Sequence, residues 1–210
     1  MAVCVSVMNM KGGVGKTTLA TQLAWYATQI MDKRTLLIDL DPQANASQCI
    51  LGPTTYVNHL KTNKLTVANV FEEFTPTGQA VGSPQPLDPR KVIVTRVKYT
   101  DGSKLDIVPS RLELAWTLRN PTGKDTLLPR FVSKIESEYD LIFVDCSPTD
   151  SILTDAAYHC SRYLLVPIRL EFLASIGFPL LNRSITAFKT RYDDKVMDVC
   201  GLVYNDFNRN

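Results

Sequence analysis

The chain has 210 residues, 45% hydrophobic and 21% charged, enough for one core and too few for a second full domain, since single cores grow to about 250 residues. Its 23 Lys and Arg against 21 Asp and Glu leave a net charge of +2, which excludes a histone-like protein and an acidic tail, so any nucleic-acid affinity must come from a local patch. Five cysteines at 4, 49, 146, 160 and 200 are odd in number and never form C-x-x-C, which speaks against a disulfide framework or thiolate metal site and for a reduced, cytosolic chain.

Residues 1–8 lack the basic stretch of a targeting signal, and no run approaches the roughly 20 apolar residues of a membrane span. Residues 3–8 (V-C-V-S-V-M) read as a buried parallel strand followed by a Gly-rich turn. From Lys16 the period becomes helical, with Leu19, Leu23, Ala27 and Ile30 expected on one face and Asp32, Lys33 and Arg34 closing the segment. Residues 35–40 (T-L-L-I-D-L) form the next strand, so residues 3–40 make one right-handed strand, helix, strand unit. The middle is less regular, and residues 75–90, with Pro76, Pro84, Pro86, Pro89, Gly78 and Gly82, suit a surface loop. Residues 91–99 and 104–108 read as a hairpin about Asp101-Gly102, hung on the sheet edge. Leu127, Phe131 and Ile135 suggest a helix ahead of the apolar run 141–144; residues 163–168 form another strand, 173–192 a long helix and 196–204 the last strand. The sum is a doubly wound α/β domain, a mostly parallel sheet with helices on both faces.

The chemistry concentrates at three places. Residues 10–18 (M-K-G-G-V-G-K-T-T) sit where a strand gives way to a helix. There the backbone N–H groups of Gly12, Gly13, Val14 and Gly15 can converge on phosphate, the helix N-terminus adds positive charge, Lys16 reaches the β and γ phosphates, and the hydroxyls of Thr17 and Thr18 face the ligand, Thr17 as a Mg²⁺ ligand. A strict G-x-x-x-x-G-K-T pattern would place Gly where Met10 stands, so this is a variant loop, and it carries an extra Lys11. Asp39 and Asp41 alternate at a strand end, where both carboxylates can meet a metal and an attacking water, although D-x-D-P can also make a turn. Asp145 ends the run L-I-F-V, as an acid that holds Mg²⁺ at a strand tip would.

These motifs, K-G-G-V-G-K-T-T, then L-L-I-D-L-D-P-Q-A-N at 36–45, then Y-D-L-I-F-V-D-C-S-P at 139–148, resemble the nucleotide motifs of the ParA and MinD family of deviant Walker A ATPases. The likeness extends more weakly through 105–110 and 167–173, and so covers essentially the whole chain. It implies a single P-loop ATPase domain over 1–210, with ATP and Mg²⁺ as ligands. It implies that Lys11 reaches across an ATP-dependent homodimer, that Asp41 orients the attacking water, and that Asp39 and Asp145 serve the metal. Asn205, after the last strand, matches a family position that contacts adenine, and a turn-capping Asn is the plain alternative. Cys146, beside Asp145, reads as packing rather than redox chemistry. Members usually continue beyond the equivalent of Asn210 through another strand and helix, so a C-terminal segment is expected to be missing here.

Arg183, Lys189 and Arg191 fall in an acid-free stretch between Glu171 and Asp193, either a phosphate-binding stripe or an ordinary solvated face. The hairpin residues Arg90, Lys91, Arg96 and Lys98 form a second basic group. The resemblance favours nonspecific DNA as the partner, with nucleoid association in the ATP state and a ParB-like or other cargo-bound protein stimulating hydrolysis. No basic amphipathic helix follows Val203, which disfavours MinD-like membrane binding. A metabolic P-loop enzyme remains the other alternative, and D-P-Q-A-N with Lys11 argues against it.

Overall fold

The computed structural model describes residues 1–72, 87–169 and 174–205, with residues 174–176 described as backbone only. Most of the loop expected at 75–90 lies outside the described residues. In chain order the elements are β1 (Val3–Val7), α1 (Lys16–Gln29), β2 (Arg34–Leu40), α2 (Asn45–Leu51), α3 (Pro53–Lys61), α4 (Val67–Phe71), β3 (Val94–Lys98), β4 (Lys104–Val108), α5 (Leu127–Ser133), β5 (Leu141–Cys146), α6 (Ile152–Cys160), β6 (Tyr163–Arg169), α7 (Ala174–Arg191) and β7 (Asp198–Asn205). A 3-10 segment, Leu112–Arg119, follows β4.

The seven strands run in the order β3-β4-β2-β5-β1-β6-β7, all pairings parallel except β3 with β4. This is the expected doubly wound sheet. Pleating sends successive side chains to opposite faces. Leu36, Ile38, Leu40, Ile142 and Val144 enter a cluster with Leu128, Leu153, Leu181 and Phe188 from α5, α6 and α7. Leu37 and Phe143 point the other way, onto Ala20, Ala24 and Ala27 of α1. Burying each large aliphatic contributes about 1.5–3 kcal/mol, so both faces must be covered and the strands read as continuous apolar runs.

Two local expectations shift. The face of α1 that meets the sheet is Ala20, Ala24 and Ala27 with Thr21 and Thr28; Leu19 and Leu23 flank it half-buried, and Ile30, expected inside, is 64% exposed. Small side chains let the helix axis approach the sheet closely, which a leucine face would prevent. The irregular stretch after β2 contains α2, α3 and α4, each too short for a clear 3.6 period. Pro53 opens α3 after Gly52, and the Asn69 side chain accepts a bond from the Thr66 N–H at 2.9 Å at the start of α4.

The β3–β4 hairpin does hang on the sheet edge. A bulge between Thr95 and Val97 takes Arg96 out of the ladder and sets its guanidinium 6.0 Å over the Trp25 ring. A bulged, charged edge of this kind discourages strand addition. Among the described residues, no helix is long and apolar enough to cross a membrane.

Candidate functional site

The centre of the sheet places the site. β1 lies between β5 and β6, and where strand order reverses, loops at the carboxyl ends diverge and leave a crevice. Residues 9–15 leave β1 there and turn into α1. Gly13 and Gly15 hold φ of +74° and +90°, a left-handed backbone open mainly to glycine. A Cβ on Gly15 would also overlap the Asn205 side chain. Lys16, Thr17 and Thr18 therefore occupy the first turn of α1, where free N–H groups and the helix dipole favour anions. A cleft of about 680 Å³ opens above, lined by Gly12, Gly13, Gly15, Lys16, Thr17, Thr18, Asp41 and Gln43, by Leu112, Ala115 and Leu118 of the 3-10 segment, and by Ser147, Pro148 and Thr149. That volume lies within the range of small-molecule sites, roughly 300–1,000 Å³.

The acids arrive from two neighbouring strands. Asp39 and Asp145 are register partners on β2 and β5, and both are fully buried. Asp39 Oδ2 accepts from Ser47 N–H at 2.8 Å and from Ser47 Oγ at 2.6 Å, while its Oδ1 accepts from Asp41 N–H at 3.2 Å. Burial pushes the Asp39 carboxyl up to about 6 against these bonds. Asp145 has no hydrogen-bond partner on either oxygen. Burial and then the Asp39 charge push it up to about 8, with the Thr17 hydroxyl and the Lys16 ammonium pulling the other way. A buried carboxylate without partners, beside a hydroxyl on a phosphate-binding turn, fits Mg²⁺, which takes one or two carboxylates and completes its shell with phosphates and water. Among the described residues, no group of three or more His, Cys, Asp or Glu is placed to hold a metal.

Asp41 lies on the cleft wall, its Oδ1 accepting from Gln43 N–H at 2.9 Å. Lys16 is buried, its pKa lowered by desolvation and supported by Asp145, and its Nζ donates to the Lys11 carbonyl at 2.9 Å. Lys11 is half-buried, its backbone N–H held by Asn9 Oδ1 at 2.9 Å. Cys146 is buried and desolvation pushes its thiol well up, the state of a packing cysteine.

Asn205 donates from Nδ2 to the Val14 carbonyl at 3.0 Å, pinning β7 to the loop. It also borders a second, smaller cavity of about 130 Å³ with Gly15, Thr18, Leu19, Gln22, Pro167 and Val203. On α7, Arg183, Lys189 and Arg191 are all exposed. At about 100° per residue, Arg183 and Arg191 stand about 80° apart, while Lys189 lies about 120° to the other side of Arg183. Lys189 helps hold the Asp198 carboxyl low, secondary to Arg162.

Several site residues carry no sequence signal. Ser47 ties Asp39 to the loop that follows β4, since its Oγ also accepts from Ser110 N–H at 2.8 Å. Leu112, Ala115 and Leu118 wall the cleft from a stretch without strand or α-helix periodicity. Asn9 could have been suspected as the polar residue just ahead of the loop.

A family model described as an AAA domain matches residues 2–197. The chromosome partitioning protein ParA of Myxococcus xanthus is 30% identical over 190 residues, 89% of this chain and 58% of that protein. Among solved structures, a plasmid partition protein from Borrelia burgdorferi aligns with a TM-score of 0.79 at 23% identity, covering 100% of this chain and 82% of that one. Cobyrinic acid a,c-diamide synthase from Mycobacterium smegmatis, with bound ADP and magnesium, aligns with a TM-score of 0.75 at 23% identity, covering 97% and 74%. At these identities the two structures speak for the fold alone. The chain spans 58% of the length of several curated relatives it matches.

Proposed function

Because the chain belongs to the ParA-type deviant Walker A ATPases, within the AAA-domain family matched over residues 2–197, we propose that it is an ATP-driven switch whose output is a change of partners. It binds ATP with Mg²⁺, dimerises, holds DNA nonspecifically, and lets go when a cargo-bound partner of ParB type stimulates hydrolysis. Such a switch segregates plasmids or chromosomes, or positions other large cargo, and is nucleoid-associated while ATP is bound. The observation that carries the reading is Asp145: a fully buried carboxylate with no partner on either oxygen, at the tip of the strand beside the phosphate loop.

The reaction is ATP plus water to ADP and phosphate. Glycine N–H groups of residues 12–15 and the first turn of α1 cradle the phosphates, and Lys16 carries positive charge to the β and γ oxygens. Thr17 and Asp145 would hold the metal, with Asp39 behind them. When bound, Mg²⁺ neutralises phosphate charge. Asp41, on the cleft wall, orients the water for in-line attack, and Asp39 fixes Asp41 through its backbone N–H. Lys11 serves the partner's nucleotide across the dimer. The smaller cavity beside Asn205 suits the adenine end of the ligand. DNA phosphates meet α7 chiefly through Arg183 and Arg191, doubled by dimerisation, with Lys189 adding less from another side of the helix.

Retention on nonspecific duplex DNA tests this, at 50 and 200 mM salt, without nucleotide, with ADP, and with ATP and Mg²⁺, for wild type and Asp41→Ala. The expected result is ATP-dependent binding that weakens roughly 10²-fold between the two salts if the four Arg183 and Arg191 charges of a dimer contact phosphate. Salt-insensitive binding would remove the α7 placement. Binding in no state, or to anionic vesicles instead, would overturn the DNA-borne switch.

A further inference from the structure

The start of α7 approaches the phosphate loop at Gly177. A Cβ added to Gly177 would lie 3.1 Å from Lys11 Cβ and 3.1 Å from Asn9 Oδ1, tighter than ordinary packing, so the helix rests on the loop through a glycine notch. Asn9 is buried and clips three segments together: Nδ2 donates to the Pro167 carbonyl at the end of β6, at 2.8 Å, and Oδ1 receives the Lys11 N–H. The Lys11 peptide is thus held from both sides, by Asn9 at its N–H and by Lys16 Nζ at its carbonyl.

The helix itself is soft at that point and firm beyond it. Pro179 lies inside α7, two residues past the notch; it has no N–H to give the preceding turn, and glycine is a poor helix former. Further along, Leu181 and Phe188 are buried in the core, and Ser184 Oγ donates to Asp150 at 2.8 Å while receiving the Tyr158 hydroxyl at 3.2 Å. Between notch and anchor, Phe178 and Leu180 stay exposed.

We propose that the Lys11–Gly177 contact is the joint through which occupation of the phosphate loop reaches α7, the turn at 177–180 pivoting at Pro179 against the anchored remainder. This rests on the nucleotide-binding reading above. A phosphate drawn to Lys16 Nζ shares that ammonium with the Lys11 carbonyl, since lysine has three donors. Its pull therefore acts on the peptide whose side chain packs against Gly177. Asn9 and Gly177 are positioning residues in this scheme, and Phe178 and Leu180 form the surface whose presentation changes.

Amide hydrogen exchange on the full chain, with and without ATPγS and Mg²⁺, tests the joint, with binding measured on the same samples by nucleotide titration. The expected result is a change of at least roughly threefold in exchange for peptides covering 177–183, with peptides covering 184–191 unchanged. Gly177→Ala should bind ATPγS within about threefold of wild type and lose the response. Pro179→Ala, which stiffens the pivot without crowding the loop, should at least halve it. Binding with a silent 177–183 segment in wild type, a response equal along the whole helix, or a full response in Gly177→Ala overturns the joint and leaves the nucleotide reading standing. Absence of nucleotide binding overturns both.

Discussion

Asp39 and Asp145 are register partners on adjacent parallel strands, equally buried, yet one carboxylate is hydrogen-bonded and the other is not. Ser47 and the Asp41 backbone satisfy Asp39; Asp145 is left to a ligand. The Asp39 charge raises the pKa of Asp145 further, and a bound divalent cation would relieve that repulsion. In the proposed function, Asp39 thus organises the site and Asp145 is the acid left for the metal.

Replacing Asp145 by Asn should separate stability from binding. Without metal the variant should melt about 2–5 °C above wild type, because an unpaired buried carboxyl is removed. The extra stabilisation that Mg²⁺ adds to ATP should vanish. Thermal scans in chelator, then with ATP and with ATP plus Mg²⁺, check both halves.

Ser47→Ala removes a hydroxyl that donates to Asp39 and accepts from the Ser110 N–H. Losing a bond to a charged group and orphaning a buried N–H costs about 2–4 kcal/mol, or about 5–12 °C in melting temperature for a chain of this size. Urea unfolding measures the first figure. ATP turnover should fall as well, since Asp39 positions Asp41.

Lys16→Ala and Asp41→Ala should part ways. The first should lose ATP binding, because in the proposed function its ammonium is the cation that meets the phosphates. The second should bind ATP normally, hydrolyse it at least about 10²-fold more slowly and accumulate dimer. Undiminished hydrolysis in Asp41→Ala would end its assignment as the water-orienting group.

Away from the site, the Arg34 guanidinium at 2.7 Å holds the Asp140 carboxyl down to about 2. A depressed carboxyl stabilises the fold above its unfolded pKa of about 3.9, and that contribution is lost as pH falls from about 4 through 2. Both side chains are over one-third exposed, so solvent screens the pair and its contribution is small. Asp140→Asn should flatten the stability profile across that window, with little change at pH 7, in acid titrations of the urea midpoint.

On α7, the double variant Arg183→Ala/Arg191→Ala should lower the slope of log affinity against log salt by about 3.6 for a dimer, at about 0.9 for each phosphate no longer neutralised. Lys189→Ala should change it less, because Lys189 stands on another side of the helix. DNA binding measured at four or five salt concentrations gives the slopes.

Much of this molecule was legible in the chain. Buried parallel strands such as 36–40 and 141–144 must be apolar on both faces, so they announce themselves as runs. The left-handed turns at Gly13 and Gly15 leave few residue choices, which is why the phosphate loop could be read from its glycines and lysines. The hairpin about Asp101-Gly102 followed from turn chemistry alone, with Ser103 N–H and Oγ bonded to Asp101. The short helices α2 to α4 were not legible, because fewer than three turns cannot establish a period. The inward face of α1 was misjudged because hydrophobicity ranks leucine above alanine, whereas the distance between helix and sheet selects the smaller residue.

The sequence by itself determined the strands, the long helices α1 and α7, the glycine-rich turn after β1 and the acids at the strand ends, since these rest on local backbone preferences and on spacing along the chain. Only the tertiary structure decided that Asp39 is bonded while Asp145 is not, that Asn205 pins the loop, and that Gly177 meets Lys11. Those relationships join residues 8 to 191 positions apart along the chain, and which hydrogen bonds remain unmade depends on how the elements pack, a quantity no local pattern encodes.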